Sequence, residues 1–125
     1  RKKTSNYIKR GISLMSNTTL LNYSERQFVS KTEVELYIKK QDEIFTTAVV
    51  EKFQKAGMLR RVVTRVWNKE GRDAVGILFE YRDQDAFNQC QKLLEVEYIT
   101  KIGDFNSKVV GSRGIVVHEF VSAEF

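Results

Sequence analysis

Proline is absent from this 125-residue chain, and cysteine, histidine and tryptophan occur once each. Without proline, tight turns depend on glycine, asparagine and aspartate, and seven glycines are available for them. The lone Cys90 excludes an internal disulfide and any cysteine-rich zinc site. The lone His118 excludes a multi-histidine metal centre, so the sequence predicts no metal and no cofactor. No run approaches the roughly 18–20 apolar residues that a bilayer span requires, so no transmembrane segment is expected. Paired carboxylates, a nucleophile–base pair and a dinucleotide fingerprint are likewise missing. Gly111–Ser112–Arg113–Gly114 lacks the lysine and the following helix of a phosphate-binding loop, and reads as a turn into the last strand.

What remains is an ordinary globular composition, 42% hydrophobic and 30% charged, of a length that suits one core. Its charge is segregated. Residues 1–30 hold six basic side chains against Glu25 alone, which accounts for the whole net charge of +5; residues 31–125 balance at fifteen of each sign. A nucleic-acid-binding domain normally carries its basic excess on the folded body, so nucleic acid is expected only at the arm, through Arg1, Lys2, Lys3, Lys9 and Arg10. Residues 1–24 contain no acid and are rich in Ser, Thr, Lys and Arg, as in a mitochondrial transit segment or the mature end behind one. With one thiol this fits a reducing compartment, the mitochondrial matrix side or else the cytoplasm.

Residues 1–31 therefore read as a basic arm, with a short amphipathic helix possible over Tyr7–Met15, and residues 32–125 as one domain. Thr32–Lys39 alternates, Val34, Leu36 and Ile38 against Glu33, Glu35, Tyr37 and Lys39, which predicts a first strand. Asp42 is the expected N-cap of a helix whose stripe runs from Ile44 to Ala56, with Gly57 as its left-handed end. Leu59–Trp67 and Asp73–Tyr81 read as a hairpin around Asn68–Gly71. Arg82–Asp85 supplies a turn and cap for a second helix with Phe87, Cys90, Leu93 and Leu94 inward, ending near Gly103 at the latest. Val109–Phe120 contains the last strand, most clearly over Gly114–Phe120. The order predicts a ferredoxin-like βαββαβ sandwich, an α+β fold with a four-stranded antiparallel sheet.

The helix-free face of such a sheet can meet water if its strands alternate. The central hairpin does not, since Val62 and Val66 oppose Val63 and Trp67, and Val75, Ile77, Phe79 and Tyr81 oppose Ala74, Gly76 and Leu78. Several wet apolar side chains would forfeit several kcal/mol at about 25 cal/mol per Å². A cover is therefore expected, a second copy or another protein, over Val63, Arg65, Trp67, Leu78, Val116 and His118.

The segment Val62–Leu94, VVTRVWNKEGRDAVGILFEYRDQDAFNQCQKLL, resembles the hairpin and following helix of dimeric α+β barrel proteins of the antibiotic-biosynthesis monooxygenase-like and stress-responsive types. The resemblance implies sheet-to-sheet pairing. It also implies either a heme-dependent or cofactor-independent oxygenase, with Trp67 and His118 as candidate catalytic residues, or a catalytically silent subunit. The heme-degrading members use an Asn/Trp/His set, and no asparagine occurs on the expected first strand. Phe79–Ala86 resembles the strand-to-helix junction of the RNA-recognition motif, but Gly76 and Leu78 stand where its stacking aromatics belong. His118 reads first as a packed strand residue, Trp67 as interface or core, and Cys90 as an inert core thiol. The expected function is a non-catalytic accessory subunit that binds through its sheet face and arm within a larger assembly. The alternatives are a small monooxygenase and a ribosome-associated protein whose arm contacts RNA.

Overall fold

The computed structural model describes residues 17–105 and 107–122. The elements are β1 (Leu20–Phe28), α1 (Lys31–Ile44), α2 (Thr47–Ala56), β2 (Met58–Arg65), β3 (Asp73–Tyr81), α3 (Gln84–Leu94) and β4 (Ser107–Ile115). A π-helical turn, Glu95–Ile99, and a last helical turn, Thr100–Ile102, prolong α3. The strands form one antiparallel sheet in the order β2-β3-β1-β4, the ferredoxin-like arrangement. The helices cover one face.

The first strand lies at Leu20–Phe28, inside the segment expected as an arm, so the domain begins well before residue 32. Thr32–Lys39 is helical instead. Its alternation is overruled by a helix start, because the Ser30 side chain accepts the Glu33 N–H at 3.2 Å. The helical spacing then buries Val34, Tyr37, Gln41 and Ile44, and leaves Leu36 52% exposed. Asp42 sits in the last turn of α1, and Thr46 is the residue that caps the following helix, accepting from Val49 N–H. With the arm thus shortened, residues 1–16 carry all five excess positive charges and residues 17–125 balance at sixteen of each sign. The expected helix over Tyr7–Met15, like the arm contacts Arg1, Lys2, Lys3, Lys9 and Arg10, lies outside the described residues.

The last strand is also displaced. β4 pairs with β1 from Phe28↔Ser107 to Leu20↔Ile115 and stops where its partner begins; Val116 donates one more bond to Thr19 O, and residues 117–120 continue without a strand partner. The hairpin β2–β3 stands where expected. Its register pairs Val63 with Ile77 and Val62 with Leu78, so Val63, Arg61 and Arg65 face the helices. The expectation had Val63 and Arg65 on the bare face. Seven residues, 66–72, separate the two strands, and a one-residue slip in such pairing exchanges the faces.

Tyr37, Val75, Tyr81 and Cys90 are the largest side chains wholly withdrawn from water, and an aromatic net binds helices to sheet. Phe28, Tyr37 and Phe105 meet with centroids 5.2–5.7 Å apart, and Tyr81 packs edge-on against Phe87. Gly57 closes α2 at φ +103°, its N–H satisfying Gln54 O and Phe53 O while its own carbonyl accepts from Arg82. A Cβ there would lie 2.5 Å from Ala86 Cβ. Gly57→Ala is expected to destabilise the fold by about 2–4 kcal/mol, from left-handed strain plus this overlap. Gly71→Ala shares a positive φ (+73°) but has nothing within 4 Å, and should cost about 1 kcal/mol. Urea unfolding of the two variants side by side measures the difference.

Candidate functional site

The sheet has two chemically different sides. On the helix-free side the register lines up Val62, Leu78 and Tyr23 in one row across β2, β3 and β1. Tyr23 is 47% exposed, and Val110 on β4 is exposed beside it. Tyr23 lies low over Gly76, where a Cβ would come within 2.9 Å of its hydroxyl, so that glycine permits the close approach. Two ion pairs border the row, Arg60–Glu80 at 3.4 Å and Arg72–Glu25 at 2.8 Å. Their charges cancel, leaving an apolar strip between neutralised rims.

On the helix side, β1 contributes Asn22, Ser24 and Arg26, so part of the interior is polar. The π-helical turn sets Tyr98 inward, and its hydroxyl bonds that of Tyr37. Burial raises the Tyr37 phenol well above its usual range, with the Tyr98 hydroxyl adding to the effect, so the group is neutral. Gln41 joins the pair: its amide N–H bonds Tyr37 O at 2.8 Å and the Tyr98 hydroxyl at 3.4 Å. That orientation turns the Gln41 carbonyl oxygen to Arg61, which donates to it at 2.9 Å. The Arg61 guanidinium rests over Phe45 at 4.3 Å, Tyr98 at 5.1 Å and Phe79 at 5.3 Å. At the other end Arg26 lies over Tyr37 and donates to Ser107 at 2.8 Å.

A cavity of about 320 Å³ opens beside Arg61, between the end of α1, helix α2 and the start of β2. Gln41 and Arg61 are on its wall with Phe45, Phe53 and Met58. Burial lowers the Arg61 guanidinium from its ordinary value, although arginine remains cationic. Cys90 is buried as expected, which pushes its thiol up to about 11.

The residues expected as one partner surface are not gathered. Val63 packs on the core, and Arg65 makes a two-bond pair with Glu35 of α1 at 2.8 and 3.0 Å. Leu78 alone belongs to the apolar row; Val116 is half-buried just past β4. Trp67 is 91% exposed in the hairpin loop, and His118 is exposed beyond the last strand, not packed within it. Neither lines the cavity beside Arg61. The residues that sequence reasoning missed are Tyr23, Gln41 and Tyr98. For Tyr23 the signal was Leu20–Phe28 itself, whose polar alternate positions conceal a strand. Ser30-x-x-Glu33, a helix-start pattern, would have assigned Gln41 to α1.

A family model described as a domain of unknown function, DUF6974, matches residues 17–116. A dimeric ferredoxin-like protein from an uncultured marine organism is 34% identical, with a TM-score of 0.76 over 84% of this chain and all (100%) of that one. A second dimeric ferredoxin-like protein from an uncultured marine organism is 23% identical, with a TM-score of 0.70 over 82% of this chain and 98% of that one. An antibiotic-biosynthesis monooxygenase-type protein from Bacillus cereus is 12% identical, with a TM-score of 0.60 over 83% and 99% of the two chains, a likeness of fold alone. No curated protein matches the chain. The fold is that of the dimeric α+β barrel superfamily, in agreement with the resemblance of Val62–Leu94.

The π-helical turn is anchored from outside by Glu97, which takes Lys52 of α2 at 2.7 Å and Lys101 at 3.0 Å. Hydrogen bonds from these two ammonium groups, Lys52 first, hold its carboxyl below the ordinary 4.5. A carboxyl depressed in the folded state stabilises it above that ordinary value, and the contribution fades as pH falls through the depressed one. Glu97→Gln should therefore unfold at lower temperature than the wild type at pH 7. The two melting curves should converge as pH drops below about 4, as thermal unfolding followed by circular dichroism would record.

Proposed function

Because the chain belongs to the DUF6974 family and its 34%-identical relative is a dimer, we propose that it is a non-catalytic subunit that pairs with a second copy of itself through the helix-free sheet face. The observation that carries this reading is the row Val62–Leu78–Tyr23 between charge-neutralised rims. A two-fold interface brings the same patch together with itself, so a patch of net charge would repel its copy, whereas a neutral apolar strip does not. The balance of sixteen acids and sixteen bases over residues 17–125 removes long-range repulsion between bodies as well. The five unmatched cations of residues 1–16 leave each copy of the pair one basic segment with which to join a larger anionic or acidic assembly.

The oxygenase reading draws on likeness of fold, and fold hosts many chemistries. Its two candidate residues, Trp67 and His118, stand in solvent at separate places. No second observation favours it.

Light scattering on the size-exclusion-purified chain tests the pairing. The wild type is expected at twice the chain mass at tens of micromolar, and Leu78→Glu at the chain mass with unchanged far-ultraviolet circular dichroism. A monomeric wild type, or a dimeric Leu78→Glu, overturns the reading.

A further inference from the structure

Arg61 is the one strongly basic group that the helix–sheet interior holds beside open space. Among the described residues no carboxylate pairs with it, whereas Arg60, Arg65, Arg72 and Arg82 each have an acidic neighbour within 4.0 Å. Its only hydrogen-bond acceptor is the neutral Gln41 carbonyl, and its Nε is buried with no partner. Removing a guanidinium from water without pairing it is costly, and a donor left unmade adds to that cost. The surroundings nonetheless hold it in place: three ring faces support it, and the Gln41 amide is locked by Tyr37 and Tyr98. A cation kept rigid, unneutralised and beside a cavity is a preformed anion receptor.

The cavity walls define the rest of the ligand. Phe45 and Phe53 face one another at a tilt, centroids 5.8 Å apart, and Met58 completes an apolar side. About 320 Å³ is the size of a small-molecule site. Asp42 also reaches the wall, exposed and unpaired with Arg61, and it disfavours ligands of high negative charge such as polyphosphates. We propose that the cleft between α1, α2 and β2 binds a small monoanionic carboxylate with an aromatic or otherwise flat apolar body, its carboxylate on Arg61 and its body against Phe45 and Phe53. The site lies on the opposite side of the sheet from the pairing face, so it stands independently of self-association.

The test uses the full chain, 15N-labelled, and two probes of one shape, 2-naphthoate and the neutral 2-naphthamide. The carboxylate is expected to bind saturably and at least tenfold more tightly than the amide. Its amide shifts should be confined to the end of α1, helix α2 and the start of β2, and the Arg61 Nε–H resonance should move on binding. Arg61→Met should bring both probes to equal affinity, and Leu78→Glu should leave the carboxylate's affinity unchanged. Equal affinities in the wild type, no saturable binding at millimolar naphthoate, or shifts elsewhere on the chain overturn the proposal. These three outcomes are read on the wild type, so they hold even if Arg61→Met fails to fold.

Discussion

β1 is hydrogen-bonded on both edges, and the rest of the molecule is arranged around that fact. Leu20–Phe28 pairs with β3 on one side and with β4 on the other over nine residues each way. A strand so enclosed has no freedom of register, because shifting it by one residue would turn Leu20 and Phe28 out of the core and break two ladders together. It also brings Asn22, Ser24 and Arg26 beneath the helices. Polar groups delivered to an interior require partners there. The hydroxyls of Tyr37 and Tyr98, the Gln41 amide and the two arginines form the polar half of the core that accompanies them.

How far this architecture could be read in advance depended on how loudly each residue spoke. Asp73–Tyr81 is a central strand with apolar residues on both faces, and Gly57 and Asp83 are chemically suited to the end of one helix and the start of another; all three stand where the pattern sets them. β1 was silent because Asn, Ser, Glu, Arg and Gln occupy its length. Val34, Leu36 and Ile38, by contrast, imitate a strand although the spacing of Val34, Tyr37, Gln41 and Ile44 is helical. Two periods coexist in those residues, and the cap at Ser30 together with the tertiary contacts selects one. The faces of β2 were not legible either. Hydrophobicity alone does not distinguish Val62 from Val63 when both neighbours are arginine- and valine-rich, and the difference arises from the pairing sum with β3.

The candidate site suffered most from that ambiguity. An argument for two-sided apolar strands reached a sound general result, a bare row that invites a companion, while selecting several residues from the wrong side. Arg61 looked like a solvated strand cation because arginine on a strand usually is one. Its true setting requires Phe45, Gln41 and Tyr98, which lie 16, 20 and 37 residues away along the chain and meet it only through the fold. A sheet that presents grease on one face and a caged cation on the other can keep assembly and small-molecule recognition separate, since neither surface shares a side chain with the other.

The turn at Glu95–Ile99 carries a further consequence. A π-helical segment holds one residue more than an α-helix needs to travel the same course, and each helical residue rotates the chain by about 100°. Excising a single position there would restore ordinary i→i−4 bonding, yet it would swing Tyr98, Ile102 and everything after them around the axis. The count of residues from Cys90 to Ile102 is thus a structural quantity in its own right: letters in that stretch can drift over generations, but an insertion or deletion would rewire the interior in one step.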